Sequence, residues 1–311
     1  MRTPGAIAVL GTLGLLAIAG CSSNGDANDS SELARTLLAL PDSQPGDVIA
    51  LRAADDGTVE WIDRRAGTIR AVAVADPVAI ETLATIEVGI EGEQRGLLGH
   101  TIVDGVRYAA WTDPATNHLL VGEVDSSGAG RIVWDGGGTA GGAVGGHLEA
   151  SADGQLILGI GQLTDWAKAH GSGAMVQLDP AGPADQEPVI LSDGYTNPFA
   201  FAVIDGELWV ADNAVGDDVE RIGRGDLTDR DEHATSALDP RAPSAVVGLP
   251  DNAATDGNLG ICGFLDAQLR AWSTDDGAYG ESLGPCLTGA ATLPDGSIVT
   301  ATADGLVLLA S

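Results

Sequence analysis

An all-β ring of six blades, each a four-stranded antiparallel sheet, is the architecture that this 311-residue sequence predicts: a six-bladed β-propeller. The leading observation is a recurring hairpin signal. Asp-Gly pairs stand at Asp56, Asp104, Asp153, Asp205, Asp256 and Asp295, each followed by a short apolar run such as Gly206-Glu-Leu-Trp-Val. Both residues of the pair tolerate positive φ, and β-prone flanks make the pair a hairpin turn. The intervals are 48, 49, 52, 51 and 39 residues, which is the period of a propeller blade. Further Asp-Gly pairs at Asp135, Asp193 and Asp276 fall outside the series. The second observation is the texture between the turns. Apolar runs of four to six residues, punctuated by Gly, Pro and Asp, replace any sustained 3.6-residue period. The third is the end of the chain: its last apolar run, residues 306–310, stops one residue short of the C-terminus, which suits ring closure by a terminal strand.

Taken in order, the first element is a targeting segment. Arg2 supplies the positive region, and residues 5–19 are apolar but too short and Gly-rich for a membrane span. They end in Ile18-Ala19-Gly20-Cys21, which looks like a bacterial lipobox with Cys21 as the lipid acceptor. Several acyl chains on one cysteine anchor firmly where one chain would not. The expected location is therefore the extracytoplasmic face of a bacterial membrane, at the cell surface or in the periplasm, with the lipid as the only membrane contact. Residues 22–30 are small and polar and read as a tether. The Leu-rich residues 31–40 are expected to add a short helix. The division is a signal peptide over 1–20, lipidated Cys21 and tether over 21–44, and one propeller domain over 45–311.

Within the body, strands are expected in the runs 47–52, 68–74, 118–124, 155–160, 174–178, 207–211, 268–272, 297–302 and 306–310. Only residues 164–170 hint at a further helical period. Trp61, Trp111 and Trp209 follow their turns closely and read as blade-packing aromatics. A net charge of −30 excludes nucleic acid as a partner, since phosphate binding needs clustered Lys and Arg. Three cysteines are present. With Cys21 taken by lipid, Cys262 and Cys286 remain as an even pair in an oxidising compartment, and a disulfide is expected between them.

Several stretches, in order, resemble the soluble quinoprotein glucose/sorbosone dehydrogenase family. They are Trp61-Ile-Asp-Arg-Arg-Ala-Gly-Thr-Ile-Arg70, Gln94-Arg-Gly-Leu-Leu-Gly99, Gly145-Gly146-His-Leu-Glu-Ala-Ser-Ala-Asp153-Gly154, Gly194-Tyr-Thr-Asn197-Pro198 and Leu293-Pro-Asp-Gly-Ser-Ile-Val. The resemblance covers roughly residues 45–311 and implies a six-bladed propeller that oxidises sugars with pyrroloquinoline quinone (PQQ) and calcium. It makes Gln94, His147 and Asn197 candidate ligand-binding residues. The implied chemistry fails at several positions. The family's general base is a histidine two residues before the paired glycines, and here that slot is Ala143. Alanine cannot accept the proton that sugar oxidation releases, and His147 lies four residues away, roughly 13 Å along an extended chain. The family's arginine positions are Thr196, Cys286 and Thr288 here, yet PQQ carries three carboxylates whose burial needs cationic partners. The family's calcium segment is partly echoed by Gly216-Asp217-Asp218-Val219-Glu220, which makes Asp217 and Asp218 candidate calcium ligands.

His100, His118, His170 and His233 have no metal-type spacing and are expected at the surface or in packing. Zinc-protease, Cys-x-x-Cys and phosphate-loop motifs are absent. The reading is a membrane-anchored lipoprotein whose sugar-dehydrogenase-like propeller binds a sugar, a glycan fragment or a protein partner without catalysis. Two alternatives stay open: a PQQ-dependent dehydrogenase with an altered site, and a calcium-dependent hydrolase of another six-bladed type.

Overall fold

The structure is a computed structural model that describes residues 34–92, 94–139, 142–164, 172–213, 220–225, 241–250 and 258–310. The signal peptide, Cys21, residues 165–170, Asp217, Asp218, His233 and the Asp256 turn lie outside these residues. Strand β1 (Ala34–Ala39) comes first in the chain but belongs to the last sheet. Blade 1 holds β2 (Val48–Ala53), β3 (Thr58–Asp63), β4 (Thr68–Ala73) and β5 (Asp76–Thr85). Blade 2 holds β6 (Leu97–Val103), β7 (Val106–Thr112), β8 (His118–Asp125) and β9 (Gly128–Gly138). In blade 3 are β10 (Gly145–Ala150), β11 (Leu156–Ile160), β12 (Ala174–Leu178) and β13 (Val189–Asp193). Blade 4 has three strands among the described residues, β14 (Ala200–Ile204), β15 (Glu207–Asp212) and β16 (Arg221–Arg224). Blade 5 comprises β17 (Pro243–Gly248), β18 (Leu259–Gly263), β19 (Gln268–Ser273) and β20 (Ala278–Pro285). Blade 6 comprises β21 (Gly289–Thr292), β22 (Ile298–Ala301), β23 (Gly305–Leu309) and, outermost, β1. The first strands of the blades touch in a closed circuit, β2, β6, β10, β14, β17, β21 and back to β2. The six-bladed antiparallel propeller expected from the sequence is thus the observed fold.

The Asp-Gly series has one structural meaning. Each of its five described members joins the first and second strands of a blade, so all of them lie at one end of the ring. Two hairpin forms occur. At Asp104-Gly105 and Asp205-Gly206 both residues have positive φ, with Val103 opposite Val106 and Ile204 opposite Glu207, a two-residue type I′ loop. At Gly57, Gly154 and Gly296 only the glycine is left-handed, and its N–H donates to the carbonyl three residues back. There the aspartate stabilises the turn differently: Asp56 and Asp295 accept the N–H of Thr58 and Ser297 at 2.9 and 3.0 Å.

Ring closure corrects one expectation. The helix expected over residues 31–40 is, in its described part, strand β1, paired antiparallel to β23 from Ala34 opposite Leu309 to Ala39 opposite Gly305. Leucine-rich local preference is weak, and the unpaired edge of β23 with an apolar cluster beneath it outweighs that preference. Leu37 and Leu40 are buried in that cluster with Trp61, Val72, Val299 and Leu306. The propeller therefore takes in residues well ahead of the boundary expected at 45.

Blade packing uses the tryptophans as expected. Trp61 and Trp111 are buried between blades, and Trp209 packs half-buried against a cluster that includes Trp272 and Ile261. Between blades 1 and 2 sits a buried ionic cluster. Arg107 reaches both Glu60 carboxylate oxygens at 2.7 and 2.8 Å, and Arg52 approaches at 3.5 Å. His100 Nδ1 lies 3.7 Å from Glu60. Burial pulls the His100 imidazole down to about 3, so it is neutral and acts as a packing group, as expected of it.

The Cys262–Cys286 disulfide is present, with a Cα–Cα distance of 5.4 Å and both sulfurs buried. It ties β18 to the segment entering blade 6. Converting both cysteines to alanine should lower unfolding free energy by roughly 3 kcal/mol in urea titrations, the chain-entropy value for a loop of this size. Non-reducing peptide mapping should recover the two linked peptides, and two alkylatable thiols in unreduced protein would contradict the bridge.

Candidate ligand site at the mouth of the channel

At the end of the ring opposite the Asp-Gly turns, the chain enters each inner strand and loops from each second strand to the third. These segments enclose a cavity of about 340 Å³. Pro45 and Gly46, Gln94, Phe199, Ser244 and Thr288 reach it from the entries or first residues of inner strands. Arg64, Asn213 and Phe264 reach it from the second-to-third-strand loops of blades 1, 4 and 5. Phe199, Ser244 and Thr288 also line a narrow channel of about 40 Å³ that continues below between the inner strands, past Leu98, His147 and Glu149.

The lining is mostly neutral. Thr288 donates its hydroxyl to the Val48 carbonyl at 2.5 Å, and Ser244 donates to the Leu287 carbonyl at 2.6 Å. Arg64 is the one cation on the cavity wall among the described residues. Its guanidinium donates to the Arg95 carbonyl at 2.9 Å and to Asp47 at 3.2 Å. Burial pulls Arg64 down from its ordinary range and pushes Asp47 up, each opposed by the other's charge. Phe264, still 41% exposed, and Phe199 give the cavity two aromatic faces.

The candidate residues sort onto three levels. Gln94 stands in the mouth itself. Asn197 is fully buried behind it, donating Nδ2–H to Gln94 Oε1 at 3.0 Å and accepting the Gly145 N–H at 3.1 Å. His147 lies lower, in the channel, bonded to Glu149 at 3.1 Å and edge-on to the Phe201 ring at 4.8 Å. Ala143 faces none of the cavities named here: it is buried, and its carbonyl accepts the Gln162 N–H at 2.5 Å. Of the positions where the resembled family holds arginine, Cys286 is locked in the disulfide and Thr288 lines the mouth. The Thr196 N–H is bound by the Asp212 carboxylate.

The Gly-Leu-Leu-Gly and Gly-Gly signatures have a packing explanation. A Cβ on Gly99 would fall 2.4 Å from the Gly146 carbonyl, and one on Gly146, at φ +95°, would fall 2.5 Å from Leu98 Cβ. Inner strands β6 and β10 approach too closely there for any side chain. Arg64, Asn213, Phe199 and Phe264 were missed as site residues. The signal for three of them was positional, because Arg64, Asn213 and Phe264 each follow a second strand and so fall at the mouth end.

Two further cavities lie away from the mouth. One of about 470 Å³ opens between blades 3 and 4 near the Asp153 and Gly206 turns. Another of about 510 Å³ borders His118 and Asp135, which are bonded at 2.8 Å. No group of three or more His, Cys, Asp or Glu positioned to hold a metal ion occurs among the described residues.

No protein-family model and no curated protein matches the chain. Solved structures do. A protein assigned as a glucose dehydrogenase, from Thermus thermophilus, superposes with a TM-score of 0.68 at 19% identity, covering 89% of this chain and 98% of that one. The PQQ-bound aldose sugar dehydrogenase of Streptomyces coelicolor gives 0.68 at 16% identity, with 89% and 97% covered. An inactive variant of virginiamycin B lyase from Staphylococcus aureus, holding quinupristin, gives 0.52 at 14% identity, with 88% and 83% covered. Likeness at these identities shows a shared fold, one that hosts both redox and lyase chemistry.

Proposed function

We propose that this chain is a lipid-anchored, extracytoplasmic propeller that binds a neutral, hydroxyl-rich ligand, a sugar or glycan fragment, at the channel mouth and does not oxidise it. The observation that carries this reading is the mouth's lining among the described residues: two phenylalanines, two amide side chains, two hydroxyls already donated to backbone carbonyls, and one arginine engaged by Asp47. Aromatic faces beside amide groups suit the apolar faces and hydroxyl edges of a sugar ring.

The same lining does not fit PQQ. Among the described residues three carboxylates would meet a single guanidinium that already serves a carboxylate, and burying the remainder unpaired is costly. Nor does a proton acceptor stand where the resembled family keeps its base, since Ala143 lies buried beneath Gln162. The dehydrogenase alternative keeps its support in the fold shared with two sugar dehydrogenases.

Titration of neutral mono- and disaccharides by calorimetry, against the protein and its Phe264→Ala variant, tests the reading. Saturable binding weakened about tenfold in the variant supports it. Binding unaffected by the variant, or no binding across a broad glycan panel, counts against it. The anchor is tested separately: Cys21→Ser should abolish lipid labelling and release the protein from the membrane fraction, and an unchanged mass and partition would refute lipidation.

A further inference from the structure

Asn197 has no exposed surface, yet it governs what the mouth offers a ligand. Its two hydrogen bonds obey different constraints. The Gly145 N–H can only donate, so the atom facing it at 3.1 Å must be Oδ1. The other end of the carboxamide is then Nδ2, a donor, and it meets Gln94 at 3.0 Å. Gln94 has to answer with its acceptor, Oε1. That leaves Gln94 Nε2, on a side chain lining the mouth, without a protein partner among the described residues. The backbone beneath is held as firmly: Asp212 accepts the Asn197 N–H at 2.6 Å and the Thr196 N–H at 3.0 Å.

We infer that Asn197 is a positioning residue that fixes the Gln94 carboxamide with its N–H pair available to the mouth, so that a ligand must bring an acceptor oxygen to that point rather than an ammonium. This deepens, and rests on, the reading of the mouth as a ligand site. Asn197 is thus removed from the set of ligand-contacting candidates and becomes the group that sets the polarity of one.

Two substitutions invert that polarity by different routes. In Asn197→Asp one carboxylate oxygen still accepts the Gly145 N–H, but the other can only accept, so Gln94 must turn and donate Nε2. In Gln94→Glu the buried framework is untouched, and a carboxylate oxygen replaces the N–H pair in the mouth. Side-chain NH₂ exchange read by NMR without ligand should show slow exchange for Asn197 and fast exchange for Gln94. In Asn197→Asp the Gln94 NH₂ should slow at least tenfold, about the value of one hydrogen bond, while in Asn197→Ala the Gly145 amide should exchange at least tenfold faster. Methyl β-D-glucoside should bind the native protein tighter than D-glucosamine at pH 6, and Gln94→Glu should reverse the order. An unchanged Gln94 exchange rate in Asn197→Asp, or an unreversed sugar preference in Gln94→Glu, overturns the inference. If neither sugar binds while the exchange pattern is as stated, the positioning role stands and the sugar reading of the mouth falls.

Discussion

A chain that begins at Leu40 should fail to hold a stable propeller, whereas one that begins at Ser31 should fold like the whole protein. The reason is the seam at blade 6. Strand β1 supplies the outer partner of β23 over residues 34–39 and delivers Leu37 into the cluster around Trp61, Val72 and Leu306. Removing it withdraws one buried leucine, about 2 kcal/mol of transfer free energy. It also removes a run of ladder hydrogen bonds at roughly 0.5–1.5 kcal/mol each. Against a total stability of about 5–15 kcal/mol for an ordinary domain, that loss is most of the margin. It also leaves β23, with Leu306 and Leu308 now uncovered, as an open sheet edge that invites association. Urea unfolding and size exclusion read the result. A Leu40-start chain that stays monomeric and unfolds at the same midpoint as the Ser31-start chain would show that the seam carries no such burden.

That seam also marks where sequence reasoning reached its limit. The blade count was legible because Asp-Gly chemistry is local: a type I′ loop needs positive φ at both central residues whatever lies beyond, so Asp104-Gly105 and Asp205-Gly206 announce themselves. The disulfide was legible from two leftover cysteines. Strand β1 was not, because an isolated Leu-rich segment carries helix and strand tendencies alike, and what decides between them is the edge of β23 some 270 residues later. The site was half legible. Gln94 was found through its Gly-Leu-Leu-Gly neighbourhood, whose glycines have a packing explanation: Gly99 lets β6 meet β10 at Gly146, and Gly96 lies against the Arg64 carbonyl. Likewise Asn197 carries a ligand-like motif while spending its whole carboxamide on Gly145 and Gln94. Following a second strand places Arg64 and Phe264 at the mouth end, but whether such a loop residue reaches the cavity depends on how far around the ring the blades have turned. No local pattern records that angle.

The purified protein, supplied with PQQ and calcium, should show no quinone absorbance after desalting and no dye reduction with aldoses above background. Two independent deficits lead there. A missing general base alone typically forfeits 10²–10⁴-fold in rate, and the buried Ala143 leaves that role unfilled at its position. The cofactor's carboxylates, meanwhile, would find among the described residues only Arg64 on the cavity wall, already bonded to Asp47 and the Arg95 carbonyl. Because the deficits are independent, Ala143→His should not restore turnover. It should cost stability instead, about 1–3 kcal/mol for overpacking, since Ala143 is enclosed by Gln162 and by Gly161, whose own Cβ would fall 2.3 Å from the Ala143 carbonyl. Micromolar PQQ affinity together with steady aldose turnover by the unaltered protein would reverse this conclusion. The quinone would then have to draw its cations from residues beyond those lining the mouth here, and the dehydrogenase reading would take the place of the binding one.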